Sequence, residues 1–94
     1  VWDARTGACV YTLEGHTGYV RSVACFRADG GATAATWMVV SGSDDKTVRV
    51  WDARTGACVH TLEGHTDYVY AVAVHPLGTL LASGSEDKTL KLWS

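Results

Sequence analysis

The chain has 94 residues, 47% of them hydrophobic and 19% charged, enough for one small soluble domain and too apolar for a disordered one. Eight basic against ten acidic side chains leave a net charge of -2 and no basic stripe that could neutralise a run of phosphates, so nucleic acid is not an expected partner. No apolar run approaches the roughly 20 residues that span a bilayer, and the N-terminus lacks the charged-then-apolar order of a signal peptide. The expectation is a soluble protein of the cytoplasm or nucleus with no membrane partner.

Val1–Asp3 end in a Trp-Asp pair, Ala4–Gly7 turn the chain, and Ala8–Leu13 alternate in the manner of a strand. Gly15–Gly18 read as a loop and Tyr19–Phe26 as an alternating strand. Arg27–Thr36, rich in small residues and containing Asp29-Gly30-Gly31, is the least patterned stretch and is expected to be an inserted loop. Such a loop is tolerated because closure entropy rises slowly with length. Trp37–Gly42 resume a strand, Ser43–Lys46 turn, and Thr47–Trp51 alternate Val48 and Val50 against Arg49. The same order then recurs: strand Ala57–Leu62, strand Tyr68–Val74, turn His75–Gly78, strand Thr79–Ser83, turn through Asp87-Lys88, strand Thr89–Trp93. Nothing in the pattern calls for a helix. Tyr68–Val74 are apolar or small on both alternating faces, which suits a strand covered on both sides.

The recurrence is close. Val1–Thr17 return as Val50–Thr66 with only Tyr11 and His60 differing, and SGSDDKTVRVWD (Ser41–Asp52) is matched by SGSEDKTLKLWS (Ser83–Ser94). Gly15-His16 and Gly64-His65, the two Ser-Gly-Ser segments, the Asp-Lys-Thr turns and the Trp endings resemble the WD-repeat family, the four-stranded blade units of β-propellers, over essentially the whole chain. The resemblance implies an all-β fold of two such blades. Residues 1–14 would be an outer strand completing a neighbour's blade, 15–63 a first blade, and 64–94 a second blade lacking its outer strand.

Two blades leave two apolar faces open, and repeat units of this kind generally need at least three copies. An open face of standard interface size forfeits on the order of 25 kcal/mol of gross burial, more than the net stability of an ordinary domain. The chain is therefore expected to associate with itself head to tail, one copy's Ala8–Leu13 completing the last sheet of the next. Four copies would close an eight-bladed ring and three a six-bladed one. Val1–Asp3 duplicates the position of Leu92–Ser94, so it is expected to be displaced, unless the chain is a piece of a longer propeller.

His16, Ser41, Asp45 and Trp51, then His65, Ser83, Asp87 and Trp93, could be read as Ser-His-Asp nucleophile systems. Duplication points elsewhere: in the family these positions imply a hydrogen-bonded network inside each blade, and no enzymatic activity is expected. Cys9, Cys25 and Cys58 show no Cys-x-x-Cys spacing and are read as strand residues of a reducing compartment. His60, His65 and His75 lack a Cys at ligand spacing, so neither a metal nor any other cofactor is expected.

By the family's geometry, Thr17, Gly18, Tyr19, Thr66, Asp67 and Tyr68, with Asp44 and Glu86, form the rim around the central opening. Tyr19, Tyr68 and Tyr70 are the candidate anchors for a peptide or protein partner, or else pack between adjacent inner strands. Trp2-Asp3-Ala4-Arg5 and Trp51-Asp52-Ala53-Arg54 match the Trp-Asp-x-Arg pattern by which some WD-repeat proteins dock on the adaptor of cullin-RING ubiquitin ligases. That makes Arg5 and Arg54 docking candidates, with solvated surface arginines as the plainer reading. The functional expectation is an interaction scaffold. A structural or engineered ring with no partner, or a ligase substrate-receptor fragment, is the alternative.

Overall fold

The computed structural model describes residues 6, 7, 9, 12–29, 35–53, 55–75 and 80–93. Seven strands form two antiparallel sheets. The first has the order β1 (Val20–Asp29), β2 (Ala35–Ser43), β3 (Thr47–Asp52), β4 (Cys58–Glu63), and the second β5 (Val69–Val74), β6 (Leu81–Ser85), β7 (Leu90–Trp93). Within each sheet every strand pairs with its neighbour in sequence, the arrangement expected where alternating segments are separated by short polar turns. The β2–β3 turn closes with the Lys46 amide donating to the Ser43 carbonyl, and Lys46 takes a left-handed φ of 75°. Lys88 repeats that conformation at 71° in the β6–β7 turn, after the same Ser-Asp/Glu-Asp sequence.

Arg27–Thr36 is not a plain loop. β1 and β2 stay paired as Arg27↔Trp37, Ala28↔Thr36 and Asp29↔Ala35, so the insertion prolongs a hairpin. Main-chain pairing needs no apolar alternation, and at this end Arg27 and Trp37 are both exposed. Of the expected strand Ala8–Leu13, Cys9 makes a single bridge and Thr12 and Leu13 are outside any strand; Val1–Asp3 lie outside the described residues.

The two sheets pack face to face through Val40, Val48, Val50, Val69 and Leu81, with Phe26, Met38, Leu62, Val72, Val74 and Trp93 around them. Gly42 is what lets them approach: a Cβ there would stand 2.7 Å from Val69 Cγ1 and 3.1 Å from Val72 Cγ1. One hydrogen bond crosses the contact, from the Val72 amide to Ser22 Oγ at 3.2 Å. Within the single chain the stretch from Tyr68 to Val74 is covered on one side. Val69 is fully buried against the first sheet, but Tyr70, Ala71 and Ala73 are exposed, because no third sheet lies beyond.

Repeat symmetry makes the open faces legible. Val48 and Val50 are 0% and 7% exposed, whereas Leu90 and Leu92, at the same positions of the second sheet, are 80% and 74% exposed. Conversely Val69 is buried while its counterpart Val20 is half exposed, and Val23 is exposed beside it. The uncovered face of the first sheet forms a cleft of about 690 Å³ lined by Val20, Val23, Cys25, Val39 and Trp51, and flanked by Cys9 and Leu13.

Candidate functional site

Each sheet carries one chain of buried hydrogen bonds. In the first, Trp51 Nε1 donates to Ser41 Oγ at 2.9 Å, Ser41 Oγ lies 2.6 Å from His16 Nε2, and His16 Nδ1 lies 2.8 Å from Asp45 Oδ2. Indole nitrogen can only donate and a carboxylate can only accept. The direction follows: the Ser41 hydroxyl donates to Nε2, and Nδ1–H donates to Asp45. Asp45 accepts three more bonds, from the Thr17 amide at 3.0 Å, the Thr47 amide at 3.0 Å and the Thr47 hydroxyl at 2.5 Å. The second sheet repeats the set, with Trp93 to Ser83 at 2.9 Å, Ser83 to His65 at 2.7 Å and His65 to Asp87 at 2.9 Å. Asp87 likewise accepts from the amides of Thr66 and Thr89 and closely from the Thr89 hydroxyl.

The chain order of elements makes this meeting possible. Ser41 and Trp51 sit opposite Arg49 and Val39 on adjacent strands, Asp45 sits in the turn joining those strands, and His16 arrives from the loop before β1. Gly15 lets that loop lie flat on the sheet, since a Cβ there would be 2.9 Å from Arg49 Nη1 and 3.1 Å from the Trp51 ring.

Burial alone would raise the Asp45 carboxyl, but the Thr47 hydroxyl, His16 and the two amides outweigh it and hold the group well below the usual carboxylate range. At Asp87 the Thr89 hydroxyl is the leading cause of the same depression, supported by His65 and the Thr66 and Thr89 amides against the opposing effect of burial.

The polarity Ser to His to Asp is also that of a nucleophile system. Ser41 and Ser83 are 4% and 1% exposed, and each hydroxyl already accepts an indole N–H. A nucleophile needs a substrate carbonyl within reach of that oxygen; Ser83 is the more deeply buried of the two, and Ser41 lies at the base of the cleft on the uncovered face of the first sheet. The arrangement pins a loop, two strands and a turn to one another, once per sheet.

Sequence reasoning passed over the other hydroxyls in this network. Ser43 Oγ accepts the Asp45 amide at 3.1 Å, Ser85 Oγ accepts the Asp87 amide at 3.1 Å, and Thr47 and Thr89 clamp the two carboxylates. Their recurrence in both repeats was the available signal.

The rim residues lie at one end of the sheets. The Asp44 amide donates to the Tyr19 carbonyl at 2.8 Å and the Glu86 amide to the Tyr68 carbonyl at 2.9 Å, so each β-turn is tied to the loop ahead of the first strand of its sheet. Tyr19, Tyr68 and Tyr70 are 75%, 48% and 51% exposed, which leaves each ring available to a partner. Asp67 accepts the Tyr68 amide at 2.7 Å, and Glu86 is exposed.

Between these tyrosines stands a residue the sequence did not single out. Arg21 donates through Nε and Nη2 to the two oxygens of Asp44, both at 2.7 Å, and lies 5.5 Å over the Tyr19 ring. The hydrogen bond to Asp44 is the main cause that raises the Arg21 pKa, the Tyr68 phenol of the second sheet adding a little, and Arg21 in turn lowers Asp44. Tyr19, Arg21 and Asp44 thus make one aromatic and charged patch at the end of the first sheet.

Arg5 and Arg54 lie outside the described residues. Cys9, Cys25 and Cys58 are exposed, and His60 is exposed on β4. Among the described residues no group of three His, Cys, Asp or Glu side chains could hold a metal ion, and no helix is long and apolar enough to cross a membrane.

Two antiparallel sheets packed face to face, each with its own Trp-Ser-His-Asp chain, define the blade type of a β-propeller. The family model described as WD domain, G-beta repeat matches residues 7–52 and again 56–94. The chain belongs to that family and carries two tandem WD repeats. Among curated proteins no sequence match stands above chance. WD-repeat domains typically serve as non-enzymatic scaffolds for protein–protein interaction.

Proposed function

We propose that this chain is a protein-interaction scaffold that assembles head to tail with copies of itself into a closed propeller, eight blades from four chains, with six from three as the smaller closed form. The observation that carries the reading is the contrast between buried Val48 and Val50 and naked Leu90 and Leu92 at identical repeat positions. The second sheet presents outward the kind of face that the first sheet buries inward. The cleft over Val20, Val23 and Cys25 is the matching counterpart, since its equivalents Val69, Val72 and Val74 are the residues that pack inside the chain. Cys9 and Leu13 flank that cleft where an incoming β7 would need an outer strand.

On the assembled ring, the Tyr19, Arg21 and Asp44 patch recurs with every chain around one end of the central opening and offers an aromatic anchor and a fixed charge pair to a peptide partner. The three exposed thiols suit a reducing compartment, the cytoplasm or nucleus. Sedimentation velocity and light scattering test the assembly. The chain should run at a single multiple of its 10.0 kDa mass, and Leu90→Asp with Leu92→Asp should reduce it to a lone chain. A monodisperse lone chain for the unsubstituted protein at micromolar concentration would refute the reading.

A further inference from the structure

The contact inside the chain and the proposed contact between chains use equivalent faces, but one atom distinguishes them. β5 is an end strand of its sheet, and the Val72 amide finds its partner across the contact, in Ser22 Oγ on β1 of the other sheet. β1 is the end strand of the first sheet, and Val23 occupies on it the position that Val72 occupies on β5. In a head-to-tail contact the residue facing the Val23 amide is the repeat counterpart of Ser22, which is Ala71. A methyl group accepts no hydrogen bond.

We infer that Ser22 and Ala71 set the two contacts apart in strength: the contact between chains is the weaker of the two, because Ala71 withholds the hydrogen bond that Ser22 supplies within the chain. This rests on the head-to-tail reading above. Other positions change the apolar volume of the contact without changing its hydrogen bonding: Cys25 stands for Val74 and Val39 for Leu81, which removes volume on one face. Ala82 stands for Val40 and His75 for Phe26, which removes apolar volume, while Leu90 and Leu92 stand for Val48 and Val50, which restores it. Ala71 is exposed on its strand and paired with Gly84, so a hydroxyl at that position meets open space in the lone chain. The consequence is an assembly that dissolves on dilution into chains whose two sheets remain joined.

Chains of this sequence carrying Ala71→Ser, Ser22→Ala, or both, compared with the unsubstituted protein, test this by sedimentation velocity over a dilution series and by thermal unfolding. Ala71→Ser should lower the concentration at which half the assemblies dissociate by about five-fold per contact, the effect of one added hydrogen bond between neutral groups. Ser22→Ala should leave that concentration where it is and lower the melting temperature instead. The double substitution should dissociate like Ala71→Ser and melt like Ser22→Ala. An unchanged or raised dissociation midpoint for Ala71→Ser, in a protein that does assemble, overturns the inference and leaves the head-to-tail reading standing. A protein that never assembles at any concentration overturns both.

Discussion

Removing the Asp45 carboxylate tests the central device of each blade. Asp45 accepts four hydrogen bonds, from His16, the Thr17 amide, and the amide and hydroxyl of Thr47. In Asp45→Ala the exposed Thr17 amide turns to water at little cost. His16 cannot, because its side chain is 6% exposed and its other nitrogen is held by Ser41. One buried donor without a partner costs about 1–3 kcal/mol, and the loss of the Thr47 clamp places the expected value near the upper end. For a domain of this size that is a fall of about 10–20 °C in melting temperature, followed by tryptophan fluorescence at fixed chain concentration, since the proposed assembly would make the midpoint concentration-dependent.

Acid supplies an internal control with a definite sign. The folded Asp45 carboxyl lies below its ordinary value of 3.8, so on acidification the unfolded chain takes up its proton first. The stabilisation is therefore complete above about pH 5 and is lost progressively below about pH 4 as the folded carboxyl itself protonates. The gap between the unsubstituted protein and Asp45→Ala should narrow over that range. A melting temperature unmoved by the substitution, or a gap that stays constant from about pH 6 to about pH 2.5, would refute the network as a source of stability.

Gly42 and Gly84 hold equivalent positions with opposite expected behaviour. A Cβ on Gly42 would press on Val69 Cγ1, Val72 Cγ1 and the Val69 carbonyl, so Gly42→Ala should cost about 1–3 kcal/mol in thermal unfolding. A Cβ on Gly84 meets Leu90 Cδ2 at 3.2 Å, a flexible side-chain end, so Gly84→Ala should leave unfolding of the lone chain nearly unchanged and weaken association seen by sedimentation. Equal effects of both on unfolding would count against the equivalence of the two faces. At Lys46 the left-handed φ of 75° strains an L-residue, and Lys46→Gly should raise stability by about 0.5–1 kcal/mol in urea unfolding. A loss of stability there would mean that the lysine side chain contributes more than its backbone conformation costs.

The strands were legible because alternation and turn chemistry agree. Val48 and Val50 alternate with Arg49, and the Ser-Asp-Asp-Lys turn before them leaves few other ways to run the chain. The prolonged β1–β2 hairpin was not legible: the run of small residues after Arg27 has no apolar period, while the pairing that continues past Arg27 and Trp37 is made by the main chain. Duplication marked His16, Ser41, Asp45 and Trp51 as a set with His65, Ser83, Asp87 and Trp93. It could have marked Thr47, Thr89, Ser43 and Ser85 as well, but small hydroxyls in turns satisfy so many local roles that recurrence does not single them out. Arg21 left no such trace, because Tyr70 stands in its place in the second repeat.

That division between what repeats and what does not follows the physics of the two jobs. A network inside a blade has its donors and acceptors matched one to one, so a change at any member strands its neighbour. His16, Ser41, Asp45 and Trp51 therefore recur without variation alongside Thr47 and Ser43. A contact between sheets is made mainly of apolar surfaces, where volume can be traded between neighbours, and there the repeats differ: Val40 against Ala82, Val48 against Leu90, Val50 against Leu92. Ser22 against Ala71 belongs to neither class, since the change at a packing position also removes a polar partner. A chain that must hold its own two sheets together permanently, and its neighbours only reversibly, can use such a position to set the two strengths apart while keeping one shape of contact throughout.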